Sequence, residues 1–373
     1  MFRRAGGAGT NAADHRQQVD HWRTVVDFSL FCFAHDGADG TRQMPYNLLL
    51  EGARFADRHG FAAVWTPERH LHPFGGIHPN PALTGAAVAA VTDRVEIRAG
   101  SVVGPLRDPI RIAEEWAVVD NLSEGRTALS FGPGWPGPDF VLPPEDYSQR
   151  REALLRTIDA VRRLWRQETF ELADGTAQPA AKRIHPAPVR PEVPVWLMSA
   201  GSTETCRTAG RLGAGLLTHL LCQNLEELAE KISIYRESYT GTEAPRVALM
   251  LPTFLGQDRE TVRETVRVPF LRTKAGLLLQ APGDLLPGMD PDNLDPEDLD
   301  FVVEQAFDRY FETGGLFGHV EDAARMLDRV AEIGVDEVAC MIDLDVEAGS
   351  VLAGLDRLAT LKDTWQTSRA AAG

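Results

Sequence analysis

From about residue 25 to residue 366, short apolar runs alternate with amphipathic stretches, and this alternation constrains the fold most. The strand-like runs are FSLFCFA (28–34), AAVW (62–65), VEIRAGSVV (95–103) and TALSFG (127–132), then VPVWLMSA (193–200), AGLLTHL (214–220), RVALMLPTFLG (246–256) and DEVACMIDL (336–344). Helices are expected over 47–59, 81–91, 109–122, 148–167, 203–212 and 225–239, from 258, and over 348–365. Leu48, Leu49, Ala53 and Phe55 fall at near-helical spacing before Gly60, and Pro109 suits a first helical turn. Eight such alternations predict an α/β fold, a closed (β/α)8 TIM-type barrel rather than an open sheet.

The rhythm breaks over 273–318, where the acidic, proline-rich GDLLPGMDPDNLDPEDLD precedes a helix of roughly 15 residues. A helical insertion between strands seven and eight is expected there, acting as a lid. The domain plan is a flexible leader over 1–24, one barrel domain over 25–366 and a flexible tail over 367–373.

Charge and composition narrow the function. A net charge of −16 argues against a nucleic-acid partner or an anionic membrane surface. No apolar run approaches a membrane span, and the first residues lack the apolar core of a secretory signal. Cys32, Cys206, Cys222 and Cys340 are far apart in apolar or helical contexts, which suits reduced thiols of a cytoplasmic protein.

Reactive groups gather where strands should end, and in parallel α/β folds ligands bind at that rim. Strand two runs into Glu68, Arg69, His70, His72 and His78 on a loop rich in glycine and proline. Solvated histidines and a surface Glu–Arg pair would explain them without function. Glu68, His70 and His72 have alternating spacing, but no HExxH or CxxC accompanies them, and no metal is expected. After strand five, SAGSTET (199–205) offers hydroxyls and small residues at a helix start, which suits a phosphate or a plain helix cap. Gly100 and Ser101 would let a flat ring lie against backbone, or mark a barrel bend. In FGPGWPGPDF (131–140), Trp135 could wall a ligand or plug the barrel mouth.

Taken together, these segments resemble the bacterial luciferase-like flavin-dependent monooxygenases. The resemblance rests on WTPERHLHPFGG (65–76), AGSVVGPLRDPIRIAEEWAVVDNLSEGR (99–126), LWRQE (164–168), PVWLMSAGSTET (194–205) and LGAGLLTHL (212–220). It is strongest to the subgroup from natural-product assembly-line clusters, through 308–318 and EIGVDEVACMIDL (332–344). The family implies reduced FMN and O2 reacting through a C4a-peroxyflavin. By position, Ser101 would lie beside the ring, on a strand where the family often has a non-prolyl cis peptide. Gly132, Gly134 and Trp135 would line the same pocket. Ser199, Ala200, Gly201, Ser202 and Thr203 would form the phosphate loop, and Glu68, Arg69 and His70 the catalytic group. Arg69 stands where the luciferases carry a reactive histidine, so His70 is the expected acid/base. GWPGPDF (134–140) replaces the subgroup's Gly-Trp-His-Pro-Asn-Asp-Phe.

The resulting expectation is a two-component FMN monooxygenase served by a separate flavin reductase, because the chain lacks the nicotinamide-domain combination of a GxGxxG that opens a helix and a following acidic residue. Its substrate would be a natural-product intermediate, free or carrier-bound, and the family suggests a homodimer packed across helices near 80–122. A deazaflavin F420-dependent oxidoreductase and a non-catalytic flavin-binding protein are the alternatives.

Overall fold

The computed structural model describes residues 25–33, 45–71, 76–134, 147–173, 179–221, 223–280, 296–344 and 346–372. The expected leader, His72, Trp135, Cys222 and the acidic run 281–295 lie outside the described residues.

Eight parallel strands close a barrel: β1 (Asp27–Phe31), β2 (Ala63–Thr66), β3 (Glu96–Val103), β4 (Thr127–Gly132), β7 (Val195–Ser199), β8 (Gly215–His219), β9 (Val247–Leu255) and β11 (Glu337–Met341). Each pairs with the next, and β11 returns to β1 with Asp27 opposite Glu337 and Phe31 opposite Met341. This is the predicted TIM-type barrel. Helices cover it: α1 (Pro45–Arg58), α2 (Pro81–Ala89), α3 (Pro109–Leu122), α4 (Arg150–Trp165), α5 (Thr203–Arg211) and α6 (Leu225–Glu237). Local chemistry sets their starts. The Asn80 side chain accepts from Ala82 N at 2.9 Å before Pro81, and Asp108 accepts from Ile110 N at 2.8 Å before Pro109.

Strand side chains alternate between two apolar layers. Phe31, Trp65, Ala128, Trp196, Leu217, Ala248, Met250 and Ala339 fill the barrel. A larger set, including Phe28, Leu30, Ile97, Phe131, Leu197 and Leu249, packs against the helices.

Several elements differ from expectation. An antiparallel hairpin, β5 (Phe170–Ala173) with β6 (Pro179–Lys182), follows α4 where no strands were foreseen. The helix after β9, α7 (Arg259–Gln280), runs into the expected insertion and carries Pro269 inside it. The insertion helix is α8 (Pro296–Thr313), followed by a short strand β10 (Leu316–Gly318) that pairs with the end of β9, and by an unforeseen helix α9 (Val320–Glu332). The last helix, α10 (Ala348–Ala372), continues through residues expected to form a tail.

The barrel floor is ionic. Arg98 projects inward from β3 and is 1% exposed. It donates to both carboxylate oxygens of buried Glu337 at 2.8 Å and to Glu96 at 2.9 Å. Its guanidinium lies 4.8 Å from the Trp65 ring and 4.9 Å from the Trp196 ring. Glu337 also accepts from Ser29 Oγ at 2.6 Å, Trp65 Nε1 at 3.2 Å and Arg246 at 3.2 Å. Burial alone would raise the Glu337 carboxyl; Arg98, Arg246 and the Ser29 hydroxyl overcome that and hold it below the usual range. With its amino-terminal end plugged by this network, the barrel offers chemistry only at the opposite rim.

Candidate active site

At the rim, β2 ends at Thr66 and Pro67 stops the ladder, so the chain leaves the sheet with Glu68 turned toward the end of β3. The Glu68 side chain is fully buried. Its carboxylate accepts from Val103 N at 3.0 Å and bonds His70 Nε2 at 2.8 Å, with Arg107 at 3.7 Å. An ionised carboxylate only accepts, so His70 Nε2 carries the proton and Nδ1 is left as the proton-accepting atom. Arg107 is held in turn by Glu115, which also binds Arg111 and Asn80. Glu68 and its partners are braced rather than solvated.

Arg69 is 7% exposed and donates its backbone N–H to His78 O at 3.0 Å. His78 is fully buried, and burial pushes its imidazole down to about 4, so it is neutral near pH 7. Among the described residues neither of its ring nitrogens has a hydrogen-bond partner.

On β3, the Gly100–Ser101 peptide is cis, and the β3–β4 register shifts between Ala99 and Val102. A Cβ on Gly100 would lie 2.8 Å from Phe31 Cε2 and 3.2 Å from Trp65 Cβ, so only glycine fits against those rings. The Ser101 hydroxyl shares a 2.8 Å hydrogen bond with Ser130 Oγ. Gly132 ends β4, and a Cβ there would sit 3.6 Å from Ser101 Cβ and 3.8 Å from Met198 Cβ. Gly134, two residues on, has φ +79°. Ser101, Gly132 and Met198 therefore adjoin on neighbouring strands as a low, mostly apolar surface.

Next around the rim, β7 ends at Ser199. Its hydroxyl is turned into the loop, accepting from Gly201 N at 3.4 Å and from Cys206 Sγ at 3.5 Å. Ala200 and Thr203 are exposed, Gly201 has φ +118°, and Ser202 caps α5 by accepting from Thr205 N at 3.3 Å. The capping role suggested by the sequence is present, and α5 starts directly after the loop that ends β7.

Two side chains here escaped sequence reading. Gln223 donates to Thr218 Oγ1 at 3.0 Å and to His219 O at 2.7 Å, and its Oε1 accepts from Lys231 Nζ at 2.8 Å. A Cβ on Gly201 would lie 3.6 Å from both Gln223 Oε1 and Lys231 Nζ. The only sequence signal was a lysine on α6 among acidic residues, which reads as a surface position.

The geometry is a barrel rim with a flat floor over β3, β4 and β7, a helix start beside it, and buried Glu68 with half-buried His70 at the β3 edge of that floor. The family model of luciferase-like monooxygenases matches residues 26–339. The chain belongs to that family. The oxygenase component of a flavin-dependent trigonelline monooxygenase from Acinetobacter baylyi is 27% identical over 239 residues, 62% of this chain and 66% of that protein. An F420-dependent glucose-6-phosphate dehydrogenase from Amycolatopsis mediterranei is 28% identical over 176 residues, 45% of this chain and 52% of that one. This chain thus spans just under two thirds of the first relative's length and about half of the second's. Among solved structures, the oxygenating constituent of 3,6-diketocamphane monooxygenase from Pseudomonas putida, in complex with FMN, superposes with a TM-score of 0.67 at 16% identity. The match covers 90% of this chain and 97% of that one, and it shows the shared fold. Among the described residues no helix is long and apolar enough to cross a membrane.

Proposed function

We propose that this protein is the oxygenase of a two-component monooxygenase, taking reduced FMN from a separate flavin reductase and using O2 to oxygenate a natural-product intermediate, free or carrier-bound. The observation that carries the reading is the continuity of the rim. Val103 stands opposite Gly132, Phe131 opposite Leu197 and Ser199 opposite Thr218, so a surface fit for a flat ring runs into a loop fit for its phosphate. The residues present suit the cofactor: glycine at 100 and 132 leaves the floor uncluttered, and the 199–203 loop presents small residues at a helix start. Ser101, Gly132 and Gly134 would border the ring, with Trp135 from the same segment. The 'oxygenase component' named among the relatives favours a reductase partner. Leu83 on α2 and Val118 and Leu122 on α3 are exposed apolar groups and favour a homodimer through those helices.

When bound, reduced FMN supplies two electrons to O2, one oxygen atom passing to the substrate and the other leaving as water. The chain's own part is positioning and proton handling. His70 Nδ1 accepts or returns a proton while Glu68 holds Nε2–H, and the braced carboxylate keeps that pair at the rim. Anaerobic titration with reduced FMN, then with deazaflavin F420, tests the cofactor, and oxygen uptake with reduced FMN tests the reaction. Glu68→Gln should leave FMN affinity nearly unchanged and lower product formed per O2 consumed by about a hundredfold. Unchanged coupling in that variant removes the proton role. The F420-dependent relative favours one second reading, hydride transfer on the same rim, and tight F420 binding without oxygen uptake would establish it.

A further inference from the structure

Beside the proposed phosphate loop stands a cation that the sequence disguises. In the chain, Glu227 precedes Lys231 by one helical turn, the spacing and order that favour a surface Glu–Lys pair. That pair does not form. Glu227 belongs to the capping box of α6, its carboxylate accepting from Asn224 N at 3.1 Å while Asn224 Oδ1 accepts from Glu227 N at 2.8 Å. Among the described residues no carboxylate lies within ion-pair distance of the Lys231 ammonium, in a chain with 54 acidic residues and 38 basic ones.

Gln223 explains why the lysine points where it does. Both its N–H groups are committed, to Thr218 Oγ1 at the end of β8 and to His219 O. The carbonyl of the side-chain amide therefore has one orientation, and Lys231 Nζ donates one of its three protons to it at 2.8 Å. This clamp sets the ammonium beside Gly201, where a Cβ would lie 3.6 Å from Nζ. Two of the ammonium's protons remain for a ligand at the loop.

Resting on the FMN reading above, we propose that Lys231 is the cation that pairs with the cofactor's phosphate monoester, and that Gln223 is its positioning residue. A point charge of this kind distinguishes a phosphorylated flavin from an unphosphorylated one, because riboflavin offers the ammonium nothing to neutralise.

The test compares FMN and riboflavin by anaerobic fluorescence titration of the full chain, in the parent, Lys231→Met and Lys231→Arg. The parent should prefer FMN. Lys231→Met should cut that preference by about tenfold or more through FMN alone, with riboflavin affinity unchanged as the internal control, and Lys231→Arg should restore most of it. Raising salt should erode FMN binding in the parent more than in Lys231→Met. A preference unchanged in Lys231→Met, or equal loss of both flavins, overturns the assignment while leaving the cofactor reading standing. A parent that binds neither flavin refutes the cofactor reading and the lysine's role together.

Discussion

Replacing Arg98 with methionine isolates what the ionic floor of the barrel contributes. The unbranched thioether fills much of the arginine stem's space between Trp65 and Trp196 and removes only the charge. Glu337 then keeps Ser29 Oγ, Trp65 Nε1 and one contact from Arg246, whose side chain is 32% exposed, and it loses both 2.8 Å bonds to Arg98. Breaking a buried ion pair from one side costs about 3–5 kcal/mol, and the retained Arg246 places this case near about 3 kcal/mol. Urea unfolding followed by tryptophan fluorescence measures it, since Trp65 and Trp196 flank the site. The pH dependence has a definite sign. In the parent the folded Glu337 carboxyl lies below its ordinary range, so its contribution is full at neutral pH and fades as pH falls through that depressed value. In Arg98→Met burial dominates and raises the carboxyl, so protonation relieves the variant and its deficit narrows as pH falls from 7 toward about 5. Arg98→Met combined with Glu337→Met should recover most of the loss, because no orphaned charge remains. A double variant as unstable as the single one, or a deficit independent of pH, would refute the orphaned-charge account and leave packing as the cause.

His78 titrates at about 4 in the fold against about 6.5 when unfolded, so folding stability is full above pH 6.5 and falls by about 3 kcal/mol as pH drops toward 4. His78→Phe should flatten that slope in pH-dependent urea midpoints, and an unaltered slope would mean other groups carry it. The helix α8 is tied to α7 by a ladder of Arg259 with Glu312 at 2.7 Å, Arg263 with Asp308, and Arg267 with Glu304, above buried Phe307 and Phe311. Arg263→Asp should speed proteolysis within α8 and increase the hydrogen peroxide released per O2 consumed, while adding Asp308→Arg should reverse both; a swap that fails to rescue would mean that the Arg263–Asp308 pair is not what ties the two helices. Gly201→Ala forces a side chain into φ +118° and should weaken FMN binding by about 1–2 kcal/mol without lowering the unfolding free energy in urea by more than that amount; unaltered affinity would move the phosphate away from this loop.

The barrel was legible in the sequence because its strands announce themselves locally: apolar runs such as TALSFG bounded by glycine, alternating with capped helices. Their lengths and breakers are properties of neighbouring residues, and eight repeats close only one way. Candidate rim residues could be named for the same reason, since Glu68 and His70 closely follow β2, Ser101 lies near the end of β3 and the 199–203 loop starts at the last residue of β7. The β5–β6 hairpin was missed because its pairing across four-residue strands carries little periodicity. Arg98 and Glu337 were hidden because a charge in a strand gives no sign of its partner, and here that partner is 239 positions away. Lys231 was hidden by its neighbours, for the sequence offers it Glu227. Only tertiary structure decides these cases. Barrel closure brings β3 against the interior of β11 and seats the Gln223 loop beside Gly201, so the partner of a polar group is settled by distances that chain order does not encode.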